Sequence, residues 1–211
     1  MNRIPTTIAF GSADPDQWEL VTLAEGPEAG AAEDVDVADL NGDGFPDIIA
    51  ACELAHLIYF QNPGSDIRRQ QWPRIIPSIT KNRGSFIRVF FADFNEDGIP
   101  EITSPNKGDQ SPGQDEPLNT ISWFEINGDP LQDTAWTEHI LTKVKIPINA
   151  QPLDLDGDGD LDLIGGAWGE GRILWFENKT DSTIQFIEHP IHVEGSAFTA
   201  EYQPEQFKGF E

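Results

Sequence analysis

The stretch Asp154-Leu155-Asp156-Gly157-Asp158-Gly159-Asp160-Leu161-Asp162 carries carboxylates at its first, third, fifth and ninth positions and glycine at its sixth. Oxygen donors at that spacing wrap a tight loop around one Ca²⁺, which favours all-oxygen shells of roughly 6 to 8 ligands at about 2.3–2.6 Å. The glycine allows a turn that a side chain would block. The seventh residue, Asp160, would contribute its backbone carbonyl, so the ligand set expected here is Asp154, Asp156, Asp158, Asp160 and Asp162. A thiolate- or imidazole-seeking metal would call for other residues.

The pattern recurs twice. Asp39, Asn41, Asp43, Phe45 (carbonyl) and Asp47, with Gly44 at position six, repeat it, as do Asp93, Asn95, Asp97, Ile99 (carbonyl) and Glu101, with Gly98. An EF-hand would need a bidentate Glu at position twelve, where these loops carry Ala50, Ser104 and Gly165. Short apolar or β-branched runs follow each loop instead, so each is expected to join two strands. The loops hold ten carboxylates at ligand positions, a density that repels itself until cations arrive. Up to three Ca²⁺ ions are therefore expected as the stabilising cofactor.

The net charge of −24 on 211 residues sets up a field that repels phosphate backbones and anionic lipid surfaces, which argues against a nucleic-acid partner. No run approaches the roughly 20 apolar residues of a membrane span, and the first residues lack a secretory signal's apolar core. The single cysteine, Cys52, excludes an internal disulfide framework and is expected as a small buried apolar residue.

The elements that position the loops form a repeat. The alternating run at residues 34–38 enters the first loop, and strands are expected at 48–50, 57–62 and 72–76. The second unit reads 86–91, loop, 101–103, 121–125 and 136–141, and the third 148–153, loop, 163–164, 173–178 and 186–189. An aromatic strand at residues 18–23 precedes them. Loops starting at residues 39, 93 and 154 are spaced 54 and 61 residues apart. Four-stranded antiparallel units at such a period predict an all-β fold of β-propeller blades. The aromatic fourth strand occurs at Trp18, Trp72, Trp136 and Phe186, once more than the loop. Three blades with half a blade on each side, a partial propeller with open edges, are therefore expected. The divisions are an N-terminal segment over 1–15, blades over 16–192, and an incomplete blade or tail over 193–211.

The three in-phase loops, with Tyr59-Phe60-Gln61-Asn62, Trp123-Phe124-Glu125 and Trp175-Phe176-Glu177-Asn178 as third strands, resemble the FG-GAP/VCBS repeat family over about residues 18–192. The resemblance implies calcium loops between the first two strands of each blade, a seven-bladed ring in full-length members, and an extracellular or cell-surface setting. Three metal loops with no catalytic constellation point to a non-enzymatic binding or scaffold module, with a protein or carbohydrate as its ligand. The open edges would be met by the remaining blades of a longer chain, by the chain's own two ends in a small four-bladed ring, or by further copies of this chain. Similar propellers also form part of sugar dehydratases and polysaccharide lyases, so the alternative is the propeller part of a carbohydrate-active enzyme.

Catalytic residues stay unknown at this point. His139 and His189 occupy equivalent positions of one repeated strand, which reads as a shared structural slot, and His56 and His192 are expected on loops. Trp168 alone among the tryptophans stands outside the repeat and is the aromatic to test as a ligand contact. The long segment 106–119, rich in Gly, Pro, Asp and Gln, is expected to be a mobile connection.

Overall fold

The computed structural model describes residues 20–53, 56–67, 71–113, 115–181 and 183–190. Among these residues, three four-stranded antiparallel sheets follow one another in chain order, none of them closed into a barrel. Sheet one contains β1 (Ala32–Ala38), β2 (Asp47–Cys52), β3 (His56–Phe60) and β4 (Arg74–Ile75). Sheet two contains β5 (Phe90–Ala92), β6 (Glu101–Pro105), β7 (Leu118–Ile126) and β8 (Trp136–Lys145), and sheet three β9 (Pro147–Leu153), β10 (Asp162–Ala167), β11 (Arg172–Asn178) and β12 (Phe186–Pro190). Each loop joins the first and second strands of its sheet. Helical structure among the described residues is confined to short 3-10 turns.

Strands β2, β3 and β6 are largely buried on both faces because both faces are covered. Ile49, Ala51, Leu57 and Tyr59 pack with Val89, Ile102, Phe124 and Trp136 between sheets one and two. Ile121 and Trp123 pack with Ala150, Leu163, Leu174 and Phe176 between sheets two and three. Large side chains buried in this way contribute about 1.5–3 kcal/mol each. Tyr59 meets Trp136 edge-on, with ring centroids 6.4 Å apart, and Phe94 meets Phe186 at 5.0 Å. On the other face of sheet one, Ala50, Cys52, Ile58, Phe60 and Trp72 are buried with Leu23 and Ala24 against them. Burial pushes the Cys52 thiol up to about 11, as expected of a cysteine that serves only as an apolar side chain.

Polar ties cross the same seams. The backbone N–H of Val89 donates to Asp34 (3.2 Å) and that of Phe91 to Asp36 (2.8 Å), joining sheets one and two. The Thr103 hydroxyl donates to the Ala150 carbonyl, and Asn178 Nδ2 to the Phe94 carbonyl (2.9 Å), joining sheets two and three.

Several expected elements differ. The described part of the strand over 18–23, residues 20–23, is not in a strand; the rest of it, the segment 1–15 and the tail 193–211 lie outside the described residues. The strand over 72–76 contracts to β4, because Pro73 and Pro77 on its flanks have no N–H to give a ladder. That over 86–91 contracts to β5, Phe86 keeping only a bridge to Asn106. The segment 106–119 is not a bare connection: β7 begins within it, and N–H groups of Ser85 and Lys107 bond the carbonyls of Gly108 and Ser85, each at 2.8 Å. Asp109 N–H donates to Glu116 (3.0 Å), closing the turn on itself. His56 opens β3 rather than sitting in a loop and is buried there, its Nε2 2.8 Å from the Glu28 carbonyl.

Candidate metal centre

The first two loops are built by the same hydrogen bonds. In loop one the Asp43 N–H donates to Asp39 Oδ1 (3.1 Å) and Asn41 Oδ1 (3.0 Å), Gly44 N–H to Asp39 Oδ2 (2.7 Å) and Phe45 N–H to Asp43 Oδ1 (2.9 Å). In loop two Asp97 N–H donates to Asp93 (3.1 Å) and Asn95 (3.0 Å), Gly98 N–H to Asp93 (2.8 Å) and Ile99 N–H to Asp97 (2.8 Å). These bonds hold the side chains of positions one, three and five against the loop's own backbone, while positions seven and nine lead into the second strand.

That wrapping requires left-handed backbone at positions four and six. Position six is glycine in all three loops, at φ 87°, 88° and 104°. Position four is Gly42 and Gly157 in loops one and three but Glu96 in loop two, held at φ 57°. A side chain there is strained by about 1–2 kcal/mol, partly offset by the extra freedom glycine has in the unfolded chain. Glu96→Gly should therefore raise stability by roughly 0.5–1 kcal/mol, read as a shift in the urea midpoint at unchanged slope.

Loop three is the richest in charge. Asp154, Asp156 and Asp158 bring carboxylate oxygens within 4.8 Å of one another, a cluster that could hold a metal ion. Two ligands of a single Ca²⁺ lie no more than about 5 Å apart, so the spacing and the all-oxygen donors fit that ion. Asp160 stands outside the cluster, as a residue offering only its carbonyl should, and its Oδ1 is buried without a hydrogen-bond partner. Burial first, then the charge of Asp158, pushes its carboxyl up to about 6. Lys179 reaches in from the end of β11, its Nζ 3.7 Å from Asp158 and 2.6 Å from Glu177.

The position-nine acids have a second task that spacing does not reveal. Asp47, Glu101 and Asp162 are buried beneath their loops. Asp47 Oδ2 accepts the Leu40 N–H (3.2 Å) and the Tyr59 hydroxyl (2.7 Å), and Oδ1 the Asn62 N–H (2.8 Å). Asp162 repeats this with Leu155 N–H (3.2 Å), Trp175 Nε1 (2.9 Å) and Asn178 N–H (2.8 Å). Glu101 accepts the Phe94 N–H at 3.0 Å. Each clamp pins the loop's second residue, and in sheets one and three it also ties the loop to the third strand. A carboxylate offers about four acceptor sites, so Asp47 and Asp162 each keep one on Oδ1 for an ion. The donors Tyr59, Asn62, Trp175 and Asn178 are functional residues that the loop motif did not identify. The repeated Asn, two residues beyond β3 in sheet one and at the end of β11 in sheet three, was the available signal.

Burial pushes the Asp47 carboxyl upward, and burial assisted by Asp97 pushes Glu101 from 4.5 up to about 7. With metal chelated, the folded chain then keeps a proton on Glu101 that the unfolded chain has already released. Its contribution is present below the unfolded value near 4.5 and lost as pH rises through about 7. Urea midpoints of the chelated protein at about pH 5 and about pH 8 should show this loss, and Glu101→Gln should remove that part of it.

The histidines serve the sheets. His139 stacks on Trp123 (3.9 Å, 7°) and bonds Glu125 (3.1 Å); His189 stacks on Trp175 (4.5 Å, 28°) and bonds Glu177 (2.7 Å). Both pairs face each other directly across neighbouring strands, the shared slot expected from the repeat. His192 lies outside the described residues. Trp168 is exposed on a 3-10 turn between β10 and β11, at the opposite end of the strands from the loops. At that end of sheets one and two, an open cleft of about 370 Å³ is lined by Glu53, Asn82, Ser85, Gly108, Asp109 and Gln110. Among the described residues no helix is long and apolar enough to cross a membrane. No protein-family model and no curated protein matches the chain.

Proposed function

We propose that the chain is a calcium-stabilised β-propeller module of the FG-GAP/VCBS type, working by binding or scaffolding, with its loops taking up to three Ca²⁺. The observation that carries this reading is the common hydrogen-bond frame of the first two loops, joined by the oxygen cluster of the third. Three sheets in sequence order, packed face to face, support the blade architecture. Histidines committed to stacking and carboxylate contacts support binding over catalysis. Weak oxygen loops of this kind suit the millimolar Ca²⁺ outside cells, and a protein or carbohydrate is the ligand class.

Calorimetric titration of the chelated protein tests it. Ca²⁺ should bind saturably, with as many as three sites, and Mg²⁺, which demands a tighter octahedral shell, should compete poorly. Asp158→Ala should weaken the third site more than Asp160→Ala, since Asp158 belongs to the oxygen cluster and Asp160 does not. Absence of calcium binding would end the metal reading, and equal losses in the two variants would show the ligand register to be wrong.

A further inference from the structure

Loop three departs from the other two at its third position. In loops one and two that position is an asparagine whose Nδ2 donates to Oδ2 of the position-five acid, Asn41 to Asp43 at 3.0 Å and Asn95 to Asp97 at 3.1 Å. In loop three it is Asp156, and an ionised carboxylate has no N–H to give. Loop three also carries four carboxylates at side-chain ligand positions, against three in each of the others.

A cation from outside the loop stands where the amide is missing. Lys179 Nζ lies 3.7 Å from Asp158 Oδ2, while Asp158 Oδ1 accepts the Asp160 N–H at 3.3 Å, the bond that Asp43 and Asp97 also make with the residue at position seven. The lysine is held in place from two sides. Its backbone N–H bonds the Gln185 carbonyl at 2.8 Å, next to Asn178, which the Asp162 clamp fixes. Its ammonium meets Glu177 at 2.6 Å, and Glu177 is bonded in turn to His189 at 2.7 Å. Phe60, Phe124 and Phe176 each pair with the first residue after their loop. Counted from them, the places equivalent to Lys179 are held by Pro63 and Asn127, and neither carries a charge.

We propose, on the calcium reading of the loops, that Lys179 is a tethered counter-ion of the third loop. It takes the place of the missing asparagine amide and sets that loop's calcium affinity below what four carboxylates alone would give. A positive charge a few ångströms away repels an entering divalent ion, and it relieves the mutual repulsion of Asp154, Asp156 and Asp158 while the loop is empty. Both effects reduce what binding gains. Lys179 and Asp158 are partly exposed and Glu177 cancels part of the ammonium's field, so screening holds the change to severalfold.

Calcium titration of the chelated full chain by calorimetry tests the proposal. In a chain carrying Asp39→Ala and Asp93→Ala, loop three alone reports. There Lys179→Met should tighten calcium binding roughly three- to tenfold at about 0.01 M salt. Lys179→Arg keeps the charge and should stay near the parent, and about 1 M salt, where the Debye length falls to about 3 Å, should erase the difference. In the otherwise unaltered chain Lys179→Met should move one binding step and leave the others, a readout that does not depend on how the combined variant folds. Calcium binding indifferent to Lys179→Met would overturn the proposal and leave the calcium reading in place. So would a Lys179→Arg variant that binds as tightly as Lys179→Met. A wild-type chain that takes up no calcium would overturn both.

Discussion

Adding a chelator should lower the melting temperature steeply. An ion present at about 100 times its Kd stabilises the folded state by roughly 2.7 kcal/mol per independent site when the unfolded chain binds none. Three sites amount to about 8 kcal/mol, against a net stability of about 5–15 kcal/mol for an ordinary domain. The physical source is visible in loop three, where Asp154, Asp156 and Asp158 converge within 4.8 Å. Without a cation their mutual repulsion acts directly on the connection between β9 and β10. Calorimetric scans with calcium and with excess chelator would measure the difference, and superimposable scans would rule out calcium as a stabiliser. The effect should shrink stepwise when Asp39, Asp93 or Asp154 is replaced, as each loop loses its site.

Replacing a clamp acid should be costly even with no metal in solution. Asp162→Ala would strip the acceptor from the Leu155 N–H, the Trp175 indole and the buried Asn178 N–H at once. Each buried donor left unsatisfied costs about 1–3 kcal/mol, so a loss of roughly 3 kcal/mol or more is expected in urea unfolding of the chelated protein. Asp162→Asn keeps one oxygen and should fall in between. Asp154→Ala removes an exposed side chain of the same loop and, in chelator, should stay within about 1 kcal/mol of wild type. Running the series without metal separates the clamp from any ligand role. Should Asp162→Ala and Asp154→Ala lose equal stability there, the position-nine residue would be a ligand and nothing more.

The sequence by itself determined the loops and the strands that carry them. Nine consecutive residues are enough to set donors at alternate positions and glycine at the turn, so the loops that begin at Asp39, Asp93 and Asp154 are legible without knowledge of any distant partner. The same locality made β2, β3, β7 and β11 legible, because alternation and aromatic repeats are properties of neighbouring residues. Only tertiary structure decided what depends on residues far apart in the chain. Asp47 became a clamp because Tyr59 of β3 and Asn62 just beyond it return to it, and Glu101 holds its proton to about 7 because the fold buries it. His56, expected on a loop, pairs with Cys52 across β2 and β3, and its ring lies against the carbonyl of Glu28, 28 residues away. Val35 and Val89 hold the same place in their repeats, yet one lies open and the other is covered. Sheet packing made that difference, since a strand's own residues set which way its side chains face but not whether another sheet lies against them.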